Sequence, residues 1–386
     1  MLRDIVGRCA ETLNDPTYAV VSKWRLANSG AKVVGCFPVY TPQELIHAAG
    51  MLPVTVLGGG NRVEIDHADS RIQSFVCSIV RSTLELGLAG YLKEFDGMIF
   101  PSICDAARNL SGVWQRNFPA MLVEYLHLPQ NMASPAASSY CHDELLRLKR
   151  KLERLAGRPI TNESLRNSIR VFNENRALLR KLYEFRVLTP VRLSAREGYV
   201  LTWISAVIPK EEHNAMLKLA LDLVRERVPV ERDRIRVIIE GSFCEQPPLE
   251  LIEVLEEAGC HIVDDDYLLG LRWFERDVSE EGEPLQALAD AYLHLSRISS
   301  VSSPGARSRG THLVGRCREF NADGVIFAAP KFCEPALFDL VLMRQALDRE
   351  KIPHLEFEYE EKMSVFENVR AQVETFSESI LFFSEP

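Results

Sequence analysis

Two stretches far apart in the chain are written to one pattern, and that pattern restricts the fold more than any other feature. Asp96-Gly97-Met98-Ile99-Phe100-Pro101-Ser102-Ile103-Cys104-Asp105 gives a turn, a short apolar run, a bend, a cysteine and a carboxylate. Asp323-Gly324-Val325-Ile326-Phe327-Ala328-Ala329-Pro330-Lys331-Phe332-Cys333-Glu334 gives the same series. An apolar run of this length between Gly and Pro reads as a strand buried on both faces, the condition of a parallel sheet covered by helices. Such sheets collect ligand-binding atoms just beyond the carboxyl ends of their strands. Both cysteines fall there.

The duplication extends well beyond these strands. Val33-Val34-Gly35-Cys36-Phe37 has its counterpart in Arg236-Val237-Ile238-Ile239-Glu240, and the helix Pro42–Gly50 in Pro248–Gly259, down to the shared Glu-Leu-Ile and Ala-Gly steps. Met51 to Val54 then matches Cys260 to Val263. Between the halves, His142–Leu155 and Glu163–Tyr183 carry apolar residues at helical spacing, with Thr161 as an N-cap. The expected fold is α/β: two similar doubly wound, flavodoxin- or Rossmann-like parallel-sheet domains joined by a helical connector. The expected boundaries are an N-terminal helical segment at 1–30 docked through Trp24 and Leu26, a first domain at 31–140, a connector at 141–230 and a second domain at 231–386. A single helix is expected from Asp69 to about Leu92, carrying Cys77.

A chain of 386 residues is long enough for two cores. Its net charge of −9 disfavours a nucleic-acid or anionic-membrane partner. There is no signal-peptide core at the start and no apolar run of membrane-spanning length, so a cytoplasmic protein is expected. Nine scattered cysteines, an odd number, argue against a disulfide framework and leave core packing, metal ligation or nucleophilic roles.

Cys77, Cys104 and Cys333 stand on a helix, after a strand and after the matching strand, so they could converge in the cleft between two domains. Three thiolates on an iron–sulfur cluster leave one iron position without a cysteine, unlike the four-cysteine sites of ordinary electron carriers. The plainer reading is that a free cysteine is simply a small buried residue, and no CxxC pair strengthens the local signal. Cys9, Cys141, Cys260 and Cys317 are read as core, and Cys36 and Cys244 as strand-end packing. Gly58-Gly59-Gly60 lacks the GxGxxG spacing of a dinucleotide site, and no GxxxxGK[ST] is present. Asp264-Asp265-Asp266 reads as a solvated turn rather than a cation site, and Glu356 to Glu361 as a strand end running into an exposed acidic turn.

Taken together, several stretches resemble the subunits of 2-hydroxyacyl-CoA dehydratases and ATP-dependent benzoyl-CoA reductases. They are Phe37–Gly50, Ser74-Phe75-Val76-Cys77 with Arg81, Gly97–Asp105, Ala258-Gly259 leading to Asp264-Asp265-Asp266, Lys331–Glu334 and Ile352–Glu356. The resemblance covers nearly the whole chain and is strongest to the smaller family subunit of the reductases. It implies that Cys77, Cys104 and Cys333 bind the cofactor as metal ligands, holding a 4Fe-4S cluster or a larger sulfide-bridged one. It implies a paralogous subunit as partner, ATP-hydrolysing activator subunits with their own 4Fe-4S cluster, ferredoxin upstream and an acyl-CoA substrate. The implied reaction is one-electron reduction of the ring of benzoyl-CoA to a cyclic dienoyl-CoA in anaerobic aromatic degradation. The alternatives are radical elimination of water from a 2-hydroxyacyl-CoA, or a non-catalytic low-potential relay. Asp105 and Glu334 would tune the cluster or join a proton path; Glu334 departs from the Asp common in the family at that place.

Overall fold

The computed structural model of the chain describes residues 1–231, 233–241, 245–267, 275–295, 299 and 308–384. Helices α1 (Leu2–Asn14) and α2 (Ala19–Ala27) precede a first unit of β1 (Val33–Cys36), α3 (Gln43–Ala48), β2 (Leu52–Thr55), α4 (Ser78–Leu88), β3 (Gly97–Pro101), α5 (Asp105–Asn117) and β4 (Leu122–Leu126). Four helices follow: α6 (Ala137–Ala156), α7 (Asn162–Val187), α8 (Ala195–Trp203) and α9 (Lys210–Arg225). The second unit runs β5 (Ile235–Glu240), α10 (Leu249–Glu257), β6 (Cys260–Asp265), α11 (Pro284–Asp290), α12 (Arg309–Glu319), β7 (Gly324–Pro330), α13 (Glu334–Glu350), β8 (His354–Tyr359) and α14 (Glu367–Ser384).

Both sheets are wholly parallel, with strand orders β2-β1-β3-β4 and β6-β5-β7-β8, so the duplicated sequence folds to a duplicated topology. The Asp-Gly step has the same task in each half. Asp96 Oδ2 accepts the Val33 N–H at 2.9 Å, and Asp323 Oδ2 accepts the Arg236 N–H at 2.7 Å, pinning the start of the central strand to its neighbour. Every residue of β1, β2, β3 and β7 is buried, as apolar runs between two helix layers require. Thr161 caps α7 as expected, its Oγ1 accepting the Ser164 N–H at 3.0 Å.

The structure departs from the sequence expectations in five places. The helix expected over 69–92 is only Ser78–Leu88, preceded by a 3-10 turn at Ala68–Ser70, and Cys77 is its N-cap rather than an interior residue. Leu26 does not dock, being 87% exposed; Trp24 does pack against the first core, beside Leu2, Ile5, Val6, Cys9 and Leu13 of α1, which hold the N-terminal segment. The Asp264–Asp266 run is buried, not solvated, because each carboxylate meets an arginine: Asp264 with Arg316, Asp265 with Arg186 at 2.6 Å and Asp266 with Arg309 at 3.2 Å. Glu361 is buried at the turn read as exposed. Strand β4 and helix α14 are additions that the apolar pattern does not announce. Among the described residues no helix is long and apolar enough to cross a membrane.

Candidate functional site

The three cysteines singled out share one local setting. Cys77 is the N-cap of α4, Cys104 of α5 and Cys333 of α13. A helix start directs unpaired N–H groups and the positive end of its dipole at what lies beyond it. Cys104 uses this directly: its Sγ accepts the Ala107 N–H at 3.4 Å. Asp105 and Glu334 open α5 and α13, where an acidic side chain favours the helix start, and both are exposed. Phe332, just before Cys333, has a left-handed backbone (φ 64°), a conformation that an aromatic residue adopts at a cost of roughly 1–2 kcal/mol.

Packing brings these three together and leaves most of the others apart. Cys77 and Cys333 belong to one contiguous apolar core, and Cys104 packs against it. Cys36 and Cys141 belong to a second core, Cys260 to a third and Cys317 to a fourth. Cys9 lies in the first core, with its thiol on Met216 Sδ at 3.4 Å. The eight described cysteines are all free thiols. Cys244 lies outside the described residues.

Electrostatics decide what such thiols can do. Burial pushes Cys104 up to about 11, opposed by the Ala107 N–H and reinforced by Cys333. The helix start is thus outweighed by desolvation. Cys77 is held well above the ordinary thiol range by burial first, then by Glu245, Cys104 and Cys333. Those neighbours all have the wrong sign for a bare thiolate, which argues against an activated nucleophile. A cationic metal partner reverses that balance, because ligation deprotonates a thiol outright. Among the described residues no group of three or more His, Cys, Asp or Glu side chains is arranged to hold a metal ion.

Two carboxylates were missed in the sequence. Glu245 accepts the Ile79 N–H of α4 at 3.1 Å and the Glu361 N–H at 2.6 Å. Glu361 accepts the Gly60 N–H at 2.6 Å and the Ser82 hydroxyl at 2.5 Å. Burial pushes Glu361 up to about 7 and holds Glu245 well above the usual carboxylate range, with Glu361 adding to it. The Gly58-Gly59-Gly60 run, which lacks dinucleotide-site spacing, admits the Glu361 carboxylate: a Cβ on Gly58 would collide with Glu361 Oε1 and come within 2.6 Å of Ser82 Oγ.

Near the thiols the surface mixes the exposed carboxylates Asp105 and Glu334 with exposed apolar side chains. Phe75 is 68% and Phe332 44% exposed, and Phe338, Val341 and Leu342 leave one face of α13 uncovered. Elsewhere, a small cavity of about 120 Å³ beyond the end of β1 is lined by Tyr40, Thr41, Arg176, Arg276 and Tyr292 among others.

The fold and this setting define a class: a duplicated α/β chain in which three helix starts carry thiols withdrawn from solvent around one core. The chain belongs to the 2-hydroxyglutaryl-CoA dehydratase, D-component family, whose model matches residues 38–380. It is 43% identical over 386 residues to a benzoyl-CoA reductase subunit of Thauera aromatica, covering 99% of each chain. It is 29% identical over 355 residues to the lactoyl-CoA dehydratase subunit beta of Anaerotignum propionicum, covering 92% of this chain and 93% of that one. The (R)-2-hydroxyglutaryl-CoA dehydratase subunit beta of Acidaminococcus fermentans is 28% identical over 360 residues, with coverages of 91% and 93%.

Proposed function

We propose that the chain is the iron–sulfur subunit of an ATP-dependent benzoyl-CoA reductase, working with a paralogous subunit and an ATP-hydrolysing activator. The observation that carries this reading is 43% identity over the full length to a benzoyl-CoA reductase subunit, against 28–29% to the two dehydratase beta subunits. Cys77, Cys104 and Cys333 are the residues that would hold the cluster, and its donor set fits them: three thiols disfavoured as bare anions and shared around one core. When bound, such a cluster supplies single electrons at low potential, which a thioester-activated ring requires.

The chain's own contribution is to bury the donors, exclude water and aim helix N–H groups at them. Asp105 and Glu334 lie on the solvent side of the cysteines they follow, where they bias charge at the helix starts. The uncovered face of α13, with Phe75 and Phe332 beside the thiols, is the natural seat for a protein partner, because electrons must enter near the donors.

The test is anaerobic iron and sulfide analysis with EPR on the purified protein, beside Cys104→Ser, followed by turnover with activator and ATP. Iron that depends on Cys104 and ring reduction of benzoyl-CoA are expected. Iron-free wild type, or a variant with equal iron and an unchanged spectrum, refutes the ligand assignment. Turnover of a 2-hydroxyacyl-CoA in place of benzoyl-CoA would make the protein a dehydratase subunit.

A further inference from the structure

Helix α4 starts in an unusual way. An N-cap side chain ordinarily satisfies a first-turn N–H of its own helix, but the Cys77 thiol makes no full capping bond and has only a weak interaction with the Val80 N–H. The Ile79 N–H goes instead to Glu245 Oε2 at 3.1 Å, a carboxylate supplied by the other half of the chain. One turn further along the same face, Ser82 donates its hydroxyl to Glu361 Oε2 at 2.5 Å, and Glu361 also belongs to the second half. The two acids are joined through the Glu361 N–H on Glu245 Oε1 at 2.6 Å, and the Tyr359 hydroxyl donates to the Glu245 carbonyl at 2.5 Å. Gly60 completes the grip by giving its N–H to Glu361 Oε1 at 2.6 Å. Glu245 is 0% and Glu361 7% exposed. Buried carboxylates are costly, and apolar residues would pack two halves together at least as stably. What carboxylates add is direction.

We propose that Glu245 and Glu361 are positioning residues: two side chains of the second half that clamp helix α4 of the first and thereby fix Cys77 relative to Cys333. This rests on the reading of the three cysteines as cluster ligands. The clamp takes up the Ile79 N–H, so the helix start stays satisfied without a full capping bond from the Cys77 thiol. It also explains why α4 begins at Cys77, although apolar spacing continues upstream of it.

The hydrogen-bond inventory predicts an asymmetry that mere burial would not. Glu361 faces one fixed donor, the Gly60 N–H, and one hydroxyl that can turn. The amide introduced by Glu361→Gln can accept from Gly60 through its carbonyl oxygen and donate its N–H₂ to Ser82 Oγ. Glu245 faces two fixed backbone donors, so Glu245→Gln sets an amide N–H₂ against an N–H.

The experiment compares wild type with Glu361→Gln, Glu361→Ala and Glu245→Gln, each purified anaerobically as the full chain with its partner subunit. Three quantities are read: iron per chain, the EPR spectrum after reduction, and iodoacetamide labelling of Cys77 in metal-depleted protein by mass spectrometry, with buried Cys141 as control. Glu361→Gln should match wild type in all three. Glu361→Ala and Glu245→Gln should hold several-fold less iron or give a shifted spectrum, and Cys77 should label about tenfold faster while Cys141 does not change. Unchanged iron, spectrum and labelling in those two variants overturn the clamp. Equal acceleration of Cys141 overturns it as well, since that is general loosening. If wild type binds no iron, the cluster reading fails, and the labelling alone then decides the clamp.

Discussion

Replacing Asp265 by Ala tests the buried ion pair that fastens the helical connector to the second sheet. Asp265 ends β6 and Arg186 stands near the end of α7, and both are buried. Arg186 Nη1 donates to Asp265 Oδ2 at 2.6 Å, the Tyr183 hydroxyl donates to the same oxygen at 3.2 Å, and the Tyr267 N–H donates to Oδ1 at 3.2 Å. The guanidinium also sits 4.4 Å from the centre of the Tyr183 ring. Removing only the carboxylate strands a cation in an apolar site, and such half-broken buried pairs cost about 3–5 kcal/mol. Arg186→Met alone strands the carboxylate and should cost a similar amount. Removing both charges abolishes the liability, because apolar replacement of a buried pair is often near neutral. The Arg186→Met, Asp265→Ala double variant should therefore be more stable than either single variant, with a coupling of at least about 3 kcal/mol between the sites. Urea unfolding followed by far-UV circular dichroism and tryptophan fluorescence measures this, provided the slopes agree among variants, since a chain of several units need not unfold in two states. A double variant as unstable as the two singles added, or Asp265→Ala within about 1 kcal/mol of wild type, refutes the account.

Other outcomes follow from the glycine run, the second carboxylate and the capped connector. Gly58→Ala and Gly90→Ala both place a side chain at positive φ (82° and 81°), but only Gly58 has neighbours a Cβ would strike. Both should lose roughly 1–2 kcal/mol to backbone strain, and Gly58→Ala a further ~1–3 kcal/mol as the Glu361 hydrogen bonds are displaced; equal losses in urea unfolding would discard the close-approach argument. Glu361, raised to about 7 from 4.5, contributes stability that is full below pH 4.5 and is lost as pH rises through 7. The stability of Glu361→Gln relative to wild type should therefore climb between pH 5 and 8, by at most about 1.4 kcal/mol per unit, and a flat difference would place the Glu361 carboxyl in an ordinary, hydrated setting. Thr161→Ala, which removes the α7 cap, should lower the urea midpoint by the equivalent of about 1 kcal/mol, and an unchanged midpoint would make that hydrogen bond incidental.

What can be read in the sequence depends on how far apart the interacting residues lie. Strands β3 and β7 announce themselves locally, as apolar runs too short for helices and bounded by turn residues, and their repetition carries the whole topology. Cys104 and Cys333 follow from those strands, since the residue after such a strand and before a helix sits at a predictable edge. For Cys77 the pattern points to the right helix but to the wrong setting. Apolar spacing from Ile72 to Val76 continues the helical period, and nothing local says that Glu245 will take the Ile79 N–H and fix the helix start at Cys77. Tertiary contact overrides pattern there. Strand β4 escapes because two of its five residues alone are buried, leaving no apolar run to notice. The acidic residues mislead for one shared reason: a carboxylate in a turn looks solvated until its partner is known. Asp264, Asp265 and Asp266 find arginines 52, 79 and 43 residues away, and Glu361 finds Gly60 and Ser82 at separations of 301 and 279. The signal that could have found Glu361 lies on the other side of the contact. Three consecutive glycines with no phosphate-loop spacing mark a place where something approaches the backbone closely, and here that something is a side chain of the chain's own second half, hydrogen-bonded to the helix that Cys77 begins.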